Sequence, residues 1–366
     1  MKSEGGLSRQ LPAARRISVR AGGSYYEAVV GHGLMRELGD EVARVLRGRR
    51  CAVLADTNTA QLFGESVRAS LAAAGFEPRL IAVPAGEGSK SLAQVALVCD
   101  AMTDAGLDRA SFVVAVGGGV VGDLAGFIAA IYHRGIPHVQ VPTTLLAQVD
   151  SAIGGKTAVN TEAGKNLLGA VHQPALVLAD VETLGTLPER ELRQGFAEMI
   201  KHAIIADATL FAAIAEAEGG DLATLVSRNI EIKAAIVAQD ERDVSGQRAV
   251  LNFGHTVGHA IERAGDYRYL HGEAISLGMV AACDVSVRKA GLAEAERQLV
   301  IATLHAAALP TRLPADFPRD RLMSVLAADK KFEGGAVRFV VTPGLGSARL
   351  ATDVTMQDIV AAITTL

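Results

Sequence analysis

His255 and His259 stand four residues apart in His-Thr-Val-Gly-His, so on a helix their imidazoles share one face. Such a pair can grip a divalent cation, and two further donors, Glu198 and His271, lie on segments that a fold can bring to it. Glu198 has Lys201 one turn further along its own helix. Taken singly these groups have plainer readings. A lone histidine is more often packed or exposed than a ligand, and Glu198 with Lys201 has the spacing of a surface ion pair. The pattern is not that of a zinc protease, because Thr256 stands where His-Glu-x-x-His needs its general base. His32, His133, His138, His172, His202 and His305 lack a comparable setting and read as ordinary residues.

Gly117-Gly118-Gly119-Val120-Val121-Gly122 follows an apolar strand and opens a helix, a spacing that lets backbone amides approach a pyrophosphate. The usual dinucleotide fingerprint carries an acidic residue on the next strand, yet that strand reads His138-Val139-Gln140-Val141 and is neutral. A tight packing turn explains such glycines equally well in isolation. Asp56 ends an earlier strand where it can hold a ribose, and Thr143-Thr144 end the next one; both favour a nucleotide site at the carboxyl edge of a sheet.

Asp150-Ser151-Ala152-Ile153-Gly154-Gly155-Lys156-Thr157, followed by Lys165-Asn166, gathers two ammonium groups, an amide and a carboxylate in one glycine-rich stretch suited to phosphate oxygens. It is not a P-loop, since Asp150 occupies the position of the first glycine. Arg134, Lys156, Lys201, Lys233 and Arg248, with Asn252 and the Lys330-Lys331 pair, exceed what an uncharged substrate needs. They imply an anionic one carrying carboxylate and phosphate.

These groups need a scaffold, and 366 residues with 49% apolar and 21% charged side chains can supply a two-domain body. Few aromatics and no Trp leave Ala, Val, Leu and Ile to fill the interior, as in parallel strands covered by helices. Apolar runs at Cys51 to Ala55, Arg79 to Val83, Phe112 to Val116, His138 to Val141 and Ala175 to Ala179 alternate with helical periodicity at Ala60 to Ala74 and Leu92 to Ala105. Short strands are expected at Arg16 to Arg20 and Ala28 to Val30. Beyond Pro188 the period is helical: Glu189 to Ala206, Leu222 to Ala238, Val257 to Ala264 and Ala274 to Lys289, with a small strand at Val337 to Val341 and a closing helix at Met356 to Thr364. The expected class is therefore an α/β N-terminal domain with a parallel sheet and Rossmann-like nucleotide site, residues 1–182, and a mainly α-helical metal- and substrate-binding C-terminal domain, residues 183–366.

A net charge of -4 without long runs of one sign argues against nucleic-acid and membrane partners and for small molecules. Cys51, Cys99 and Cys283 form neither a disulfide framework nor a Cys-x-x-Cys pair, and no apolar stretch reaches the roughly 18 residues of a membrane span. The expected compartment is the cytoplasm.

In order along the chain, Gly117 to Asp123, Arg134-Gly135, Pro142 to Ser151, Gly154 to Thr157, His172-Gln173-Pro174, Glu198 to Lys201, Asn252 to His259 and His271-Gly272-Glu273 resemble the 3-dehydroquinate synthase family. The resemblance runs from about Ile17 to the end. It implies NAD and a divalent metal, Zn2+ or Co2+, in a cleft between the domains of a homodimer. Asp56, Ala85, Gly86, Glu87, Gly88, Ser89, Lys90, Gly119, Val120, Val121, Gly122, Asp123, Thr143, Thr144, Lys156, Lys165, Thr183, Leu184, Gly185 and Thr186 fall on cofactor positions. Glu198, His255 and His271 fall on metal-ligand positions, with His259 beside the metal. Asp150, Lys156, Asn166, Lys201, Lys233, Arg248, Asn252 and one of Lys330 and Lys331 fall on contacts to a phosphorylated keto acid, and Arg134 is supplied across the dimer. The implied reaction removes a hydride, eliminates phosphate, returns the hydride, opens the ring and closes a carbocycle. The rivals are a cyclase of the same superfamily acting on sedoheptulose 7-phosphate, a metal-dependent alcohol or glycerol-phosphate dehydrogenase, and an inactive scaffold.

Overall fold

The computed structural model describes residues 13–216, 221–328, 332–333 and 336–366. A hairpin of β1 (Arg15–Ala21) and β2 (Ser24–Gly31), turning at Gly22-Gly23, leads through α1 (Leu38–Val45) to β3 (Arg50–Asp56), α2 (Thr57–Ala73), β4 (Glu77–Val83) and α3 (Leu92–Asp104). Then come β5 (Phe112–Gly117), α4 (Gly119–Ile131), β6 (His138–Pro142), a second hairpin of β7 (Lys156–Thr161) and β8 (Gly164–Val171), and β9 (Leu176–Asp180). The main sheet has the order β1-β2-β9-β6-β5-β3-β4, parallel throughout except at β1.

β5, β6 and β9 are buried along their whole length, which is why β5 and β9 read as apolar runs rather than alternating ones, while β6 buries His138 and Gln140 among its valines. One core packs Val53, Val114 and Val139 against α1 and α2, and another packs Leu54, Val113 and Ala115 against α3 and α4. From β3 the chain passes outward to β4, and from β5 it passes the other way to β6. The strand order therefore reverses between the carboxyl ends of β3 and β5, where a crevice opens in this kind of sheet.

The second half is helical: α5 (Glu189–Ala206), α6 (Ala208–Ala215), α7 (Leu222–Gln239), α8 (His255–Ala264), α9 (His271–Lys289), α10 (Glu294–Ala306) and α11 (Arg319–Ala327). A small sheet of β10 (Phe332–Glu333), β11 (Ala336–Gly344) and β12 (Ser347–Thr355), then α12 (Met356–Ile363), completes it. Its core is continuous with the edge of the main sheet: Val19, Tyr26 and Val177 share one apolar cluster with Ile200, Val226 and Ile275. No helix among the described residues is long and apolar enough to cross a membrane. The hairpin β7–β8, the helices α6, α10 and α11, and β12 are absent from the sequence-based expectation. The helix α1 and the strand β10 are absent from it too, and the expected elements differ from the observed ones by boundary shifts of a few residues.

Candidate metal and nucleotide site

Glu198 lies in the middle of α5 with 0% exposure, His255 opens α8 and His271 opens α9. Gly254 adopts φ 78 before His255, a left-handed turn that glycine takes without strain. The ring of His255 directs Nε2 to within 3.7 Å of Glu198 Oε1, and His271 Nε2 lies 3.4 Å from the same oxygen. One donor atom from each of the three residues falls within 4.8 Å of the others. Glu198 and Lys201 are thus a buried contact and not a surface pair.

Neither carboxylate oxygen of Glu198 has a well-formed hydrogen bond among the described residues, although Lys201 touches one of them. A buried carboxylate left in that condition fits a cation. Burial opposes ionisation of Glu198, but the Lys201 charge and the two histidines hold its carboxyl well below the usual range. Burial, then the Lys201 charge, pushes His255 well below its ordinary value, so its imidazole is neutral, the form that binds metals. Burial alone would lower His271 as well, but flanking Glu198 and Glu262 raise it to about 10. Positive charge is favoured at this point.

A chain of charges runs from the cluster towards the sheet. Asp150 sits in the tight turn Ala147–Ser151. Lys233 of α7 touches its carboxylate and donates to its backbone oxygen at 2.6 Å. Burial would raise Asp150, yet Lys233 and then Lys201 keep it well below the carboxylate range. Arg248, 4% exposed, donates to Glu241 O at 2.8 Å and lies 3.4 Å from Gly154 O, while Tyr26 Oη accepts from Gly154 N at 3.1 Å. Asp240 organises this loop by accepting from the amides of Val244 and Arg248 at 2.8 and 3.3 Å. Lys156, at the start of β7, pairs with Asp243 at 2.8 Å.

The glycine-rich turn lies close by: a Cβ on Gly119 would stand 3.0 Å from Ser151 Oγ, next to Asp150. Gly117 ends β5, and Gly119, Val120, Val121, Gly122 and Asp123 form the first turn of α4. Asp123 accepts from Lys90 at 2.7 Å, and Lys90 also donates to Asn166 Oδ1 at 2.5 Å, which brings the segment after β4 onto the β7–β8 hairpin. On that segment are Ala85, Gly86, Glu87, Gly88 and Ser89, with Glu87 accepting from Asn160 at 2.7 Å. Asp56 caps α2 through Oδ1, 2.9 Å from the amides of Asn58 and Thr59.

Thr143-Thr144 follow β6, where Thr143 N donates to Gly117 O at 3.0 Å. Gln148 Nε2 donates to Pro142 O and Asp180 O, and lies 3.3 Å from Thr183 Oγ1. It thereby ties the turn carrying Thr183, Leu184, Gly185 and Thr186 to the same strand ends. Lys165 stands over the ring of Tyr267, 4.4 Å from its centre, and so bridges from the hairpin to the loop before His271.

Arg134 is not brought to this cluster. It is exposed, and with His133 it forms a left-handed turn after α4, at φ 71 and 50. Asn252 and His259 are exposed, with the His259 ring centred 5.2 Å from that of His255. Lys330 and Lys331 lie outside the described residues. Sequence reasoning passed over His202, fully buried with Nε2 4.0 Å from Asp150 Oδ1 and Nδ1 3.2 Å from Asn229 Oδ1. It passed over Tyr26 and Glu262 too. Glu262 falls seven residues after His255, on the same helical face, and His202 follows Glu198 by four; that spacing was the available signal.

A doubly wound parallel sheet with a glycine-rich turn at its switch point, set beside a Glu–His–His cluster with Glu198 and His255 buried and His271 half-buried in a helical second half, defines a class of cleft enzyme with adjoining nucleotide and cation sites. Residues 80–194 match the family model described as 3-dehydroquinate synthase N-terminal, and residues 195–332 match 3-dehydroquinate synthase C-terminal. The 3-dehydroquinate synthase of Symbiobacterium thermophilum is 49% identical over 91% of this chain and 96% of its own. That of Caulobacter vibrioides is 45% identical over 93% and 95%. The chain belongs to the 3-dehydroquinate synthase family. Among solved structures, 2-epi-5-epi-valiolone synthase from Streptomyces hygroscopicus with NAD+ and Zn2+ bound matches with TM-score 0.84 and 32% identity, over 96% of this chain and 99% of that one. A 2-deoxy-scyllo-inosose synthase with NAD+ and Co2+ shares the fold at TM-score 0.84 and 23% identity, over 95% and 99%.

Proposed function

We propose that the chain is a 3-dehydroquinate synthase, converting 3-deoxy-D-arabino-heptulosonate 7-phosphate to 3-dehydroquinate and phosphate. The observation that carries this reading is the unbroken run from the Glu198–His255–His271 cluster through Lys201, Asp150 and Lys233 to the glycine-rich turn, in a chain of this family. Relatives solved with NAD+ and Zn2+ or Co2+ support the same cofactors here. A divalent cation held by Glu198, His255 and His271 would polarise a secondary hydroxyl as a Lewis acid, and NAD at the strand ends would accept and return its hydride.

The protein's own part is to hold a flexible trianion in one pose. Lys233 gives two of its three ammonium hydrogens to Asp150, so the third remains for a substrate carboxylate, beside Arg248. Lys156, Asn166 and one of Lys330 and Lys331 take the phosphate. For Lys156 this means exchanging Asp243 for a more strongly charged anion. Asn166 offers its amide nitrogen, since Lys90 occupies its oxygen. Asn252 and His259 close the substrate side at the mouth. Asp56, the segment Ala85 to Lys90, the turn Gly119 to Asp123, Thr143-Thr144, Lys165 and the turn Thr183 to Thr186 line the cofactor crevice.

The functional division is residues 1–182 for NAD and 183–366 for metal and substrate. Exposed Arg134 makes no hydrogen bond or ion pair with the described residues, in keeping with a role across a homodimer. Three free thiols fit work in the cytoplasm.

Purified protein given NAD and zinc should release phosphate from the keto acid phosphate and not from sedoheptulose 7-phosphate, without accumulating NADH. A chelator should abolish turnover, and zinc or cobalt should restore it. Turnover of the carboxylate-free sugar phosphate alone, or steady NADH formation, overturns the assignment.

A further inference from the structure

The imidazole of His271 belongs to two clusters at once. Its Nε2 lies 3.4 Å from Glu198 Oε1, and its Nδ1 lies 3.4 Å from Glu262 Oε1. Donor atoms of His259, Glu262 and His271 also fall within 4.8 Å of one another, just as those of Glu198, His255 and His271 do. A neutral imidazole has one bare nitrogen and one N–H, so a cation can take only one of these sides, and the hydrogen on the other nitrogen decides which.

His255 shows how the choice is made. Its Nδ1 lies 3.1 Å from Phe253 O, a carbonyl that can only accept, so Nδ1 carries the hydrogen and Nε2 is bare towards Glu198. Glu198 is fully buried and short of hydrogen bonds, whereas His259 in the competing cluster is 48% exposed. The cation side of His271 is therefore Nε2. Its Nδ1 then needs an acceptor, and Glu262 supplies it from the last turn of α8, with its side chain only 12% exposed. The backbone of Glu262 is fixed as well: its carbonyl accepts from Tyr267 N at 2.8 Å, closing the loop that leads to His271.

We infer that Glu262 is a positioning residue for the metal centre: it takes the Nδ1 hydrogen of His271, fixes that ring's tautomer and orientation, and leaves Nε2 bare towards Glu198 and His255. The inference rests on the metal reading of the proposed function. A carboxylate behind a ligating histidine also raises the basicity of the ligand, so its loss should weaken metal binding without removing a ligand.

The test measures zinc affinity of metal-stripped protein by competition with a chromophoric chelator, for the wild type, Glu262→Ala, Glu262→Gln and Glu198→Ala. Glu262→Ala should bind zinc about 10- to 100-fold more weakly than the wild type. Glu262→Gln, which keeps an acceptor oxygen, should lose less, and Glu198→Ala should lose more than either. Melting temperatures of the metal-free proteins report folding, and Glu262→Gln stands in should the alanine variant not fold. Wild-type affinity in both Glu262 variants overturns the inference. So does loss in Glu262→Ala as complete as in Glu198→Ala, since Glu262 would then be a ligand. Failure of the wild type itself to bind zinc overturns the metal reading instead.

Discussion

A Cβ placed on Gly278 would stand 2.0 Å from the carbonyl oxygen of Gly254 and 2.8 Å from the amide of Gly258. α9 and α8 thus touch backbone to backbone, and this contact sets how closely His255 and His271 can approach each other. Backbone cannot give way as a flexible side chain can. Gly278→Ala should push the helices apart and cost about 1–3 kcal/mol of stability in urea unfolding. Zinc affinity should fall with it, although Gly278 touches no donor atom. Gly23→Ala, where a Cβ meets nothing within 4 Å, is the control and should stay within about 0.5 kcal/mol of the wild type. Unchanged zinc binding in a destabilised Gly278→Ala protein would show that the helix contact does not set the ligand spacing.

His138, the first residue of β6, supplies a pH dependence remote from the metal donors. It is 1% exposed, its Nδ1 has no hydrogen bond among the described residues, and its ring stacks on His172 with centres 5.1 Å apart. Burial, then the neighbouring His172, pushes it down to about 3. In the unfolded chain a histidine titrates near 6.5, so the unfolded state takes up the proton first as pH falls. The stability this group contributes is whole above about pH 6.5 and is lost progressively as pH drops towards 3. His138→Gln should therefore flatten the dependence of unfolding free energy on pH by about 1.4 kcal/mol per pH unit around pH 5, one proton's worth. Urea unfolding of the two metal-stripped proteins from pH 4.5 to 7 checks it; coincident slopes would refute it.

How much of this could be read from the chain depends on burial. Runs such as Phe112 to Val116 announce strands covered on both faces, α5 and α7 keep a helical period, and α9, buried nearly all round, is too long for a strand, so the parallel sheet and the helical second half follow from the sequence. The β7–β8 hairpin escapes because β8 is exposed along most of its length and interrupted by glycine, so no alternation survives; its lysines then look like a loop. At the site, residue type and helical spacing single out Glu198, His255, His259 and His271, yet spacing cannot choose among four donors. That choice depends on contacts made by folding, such as His255 Nδ1 against Phe253 O. His202 has its four-residue spacing from Glu198 as a signal, but nothing near it in sequence says that Asn229 and Asp150 will meet it.

The Asp150–Lys233 contact makes a further prediction, because stability and activity should respond to it in opposite ways. Asp150 is 23% exposed at its side chain and Lys233 7%, so each charge depends on the other for its solvation. Asp150→Asn leaves the ammonium buried without its counter-charge, and Lys233→Met does the same to the carboxylate. Each should cost about 3–5 kcal/mol in chemical unfolding. Combining the two removes both charges and leaves no unpaired ion buried, so the neutral Asn–Met double variant should recover much of that stability. Activity should not recover with it, since the hydrogen that Lys233 reserves for the substrate is gone in either background. A double variant as unstable as the singles would mean that the two groups act independently. One that regains turnover would remove Lys233 from the substrate contacts.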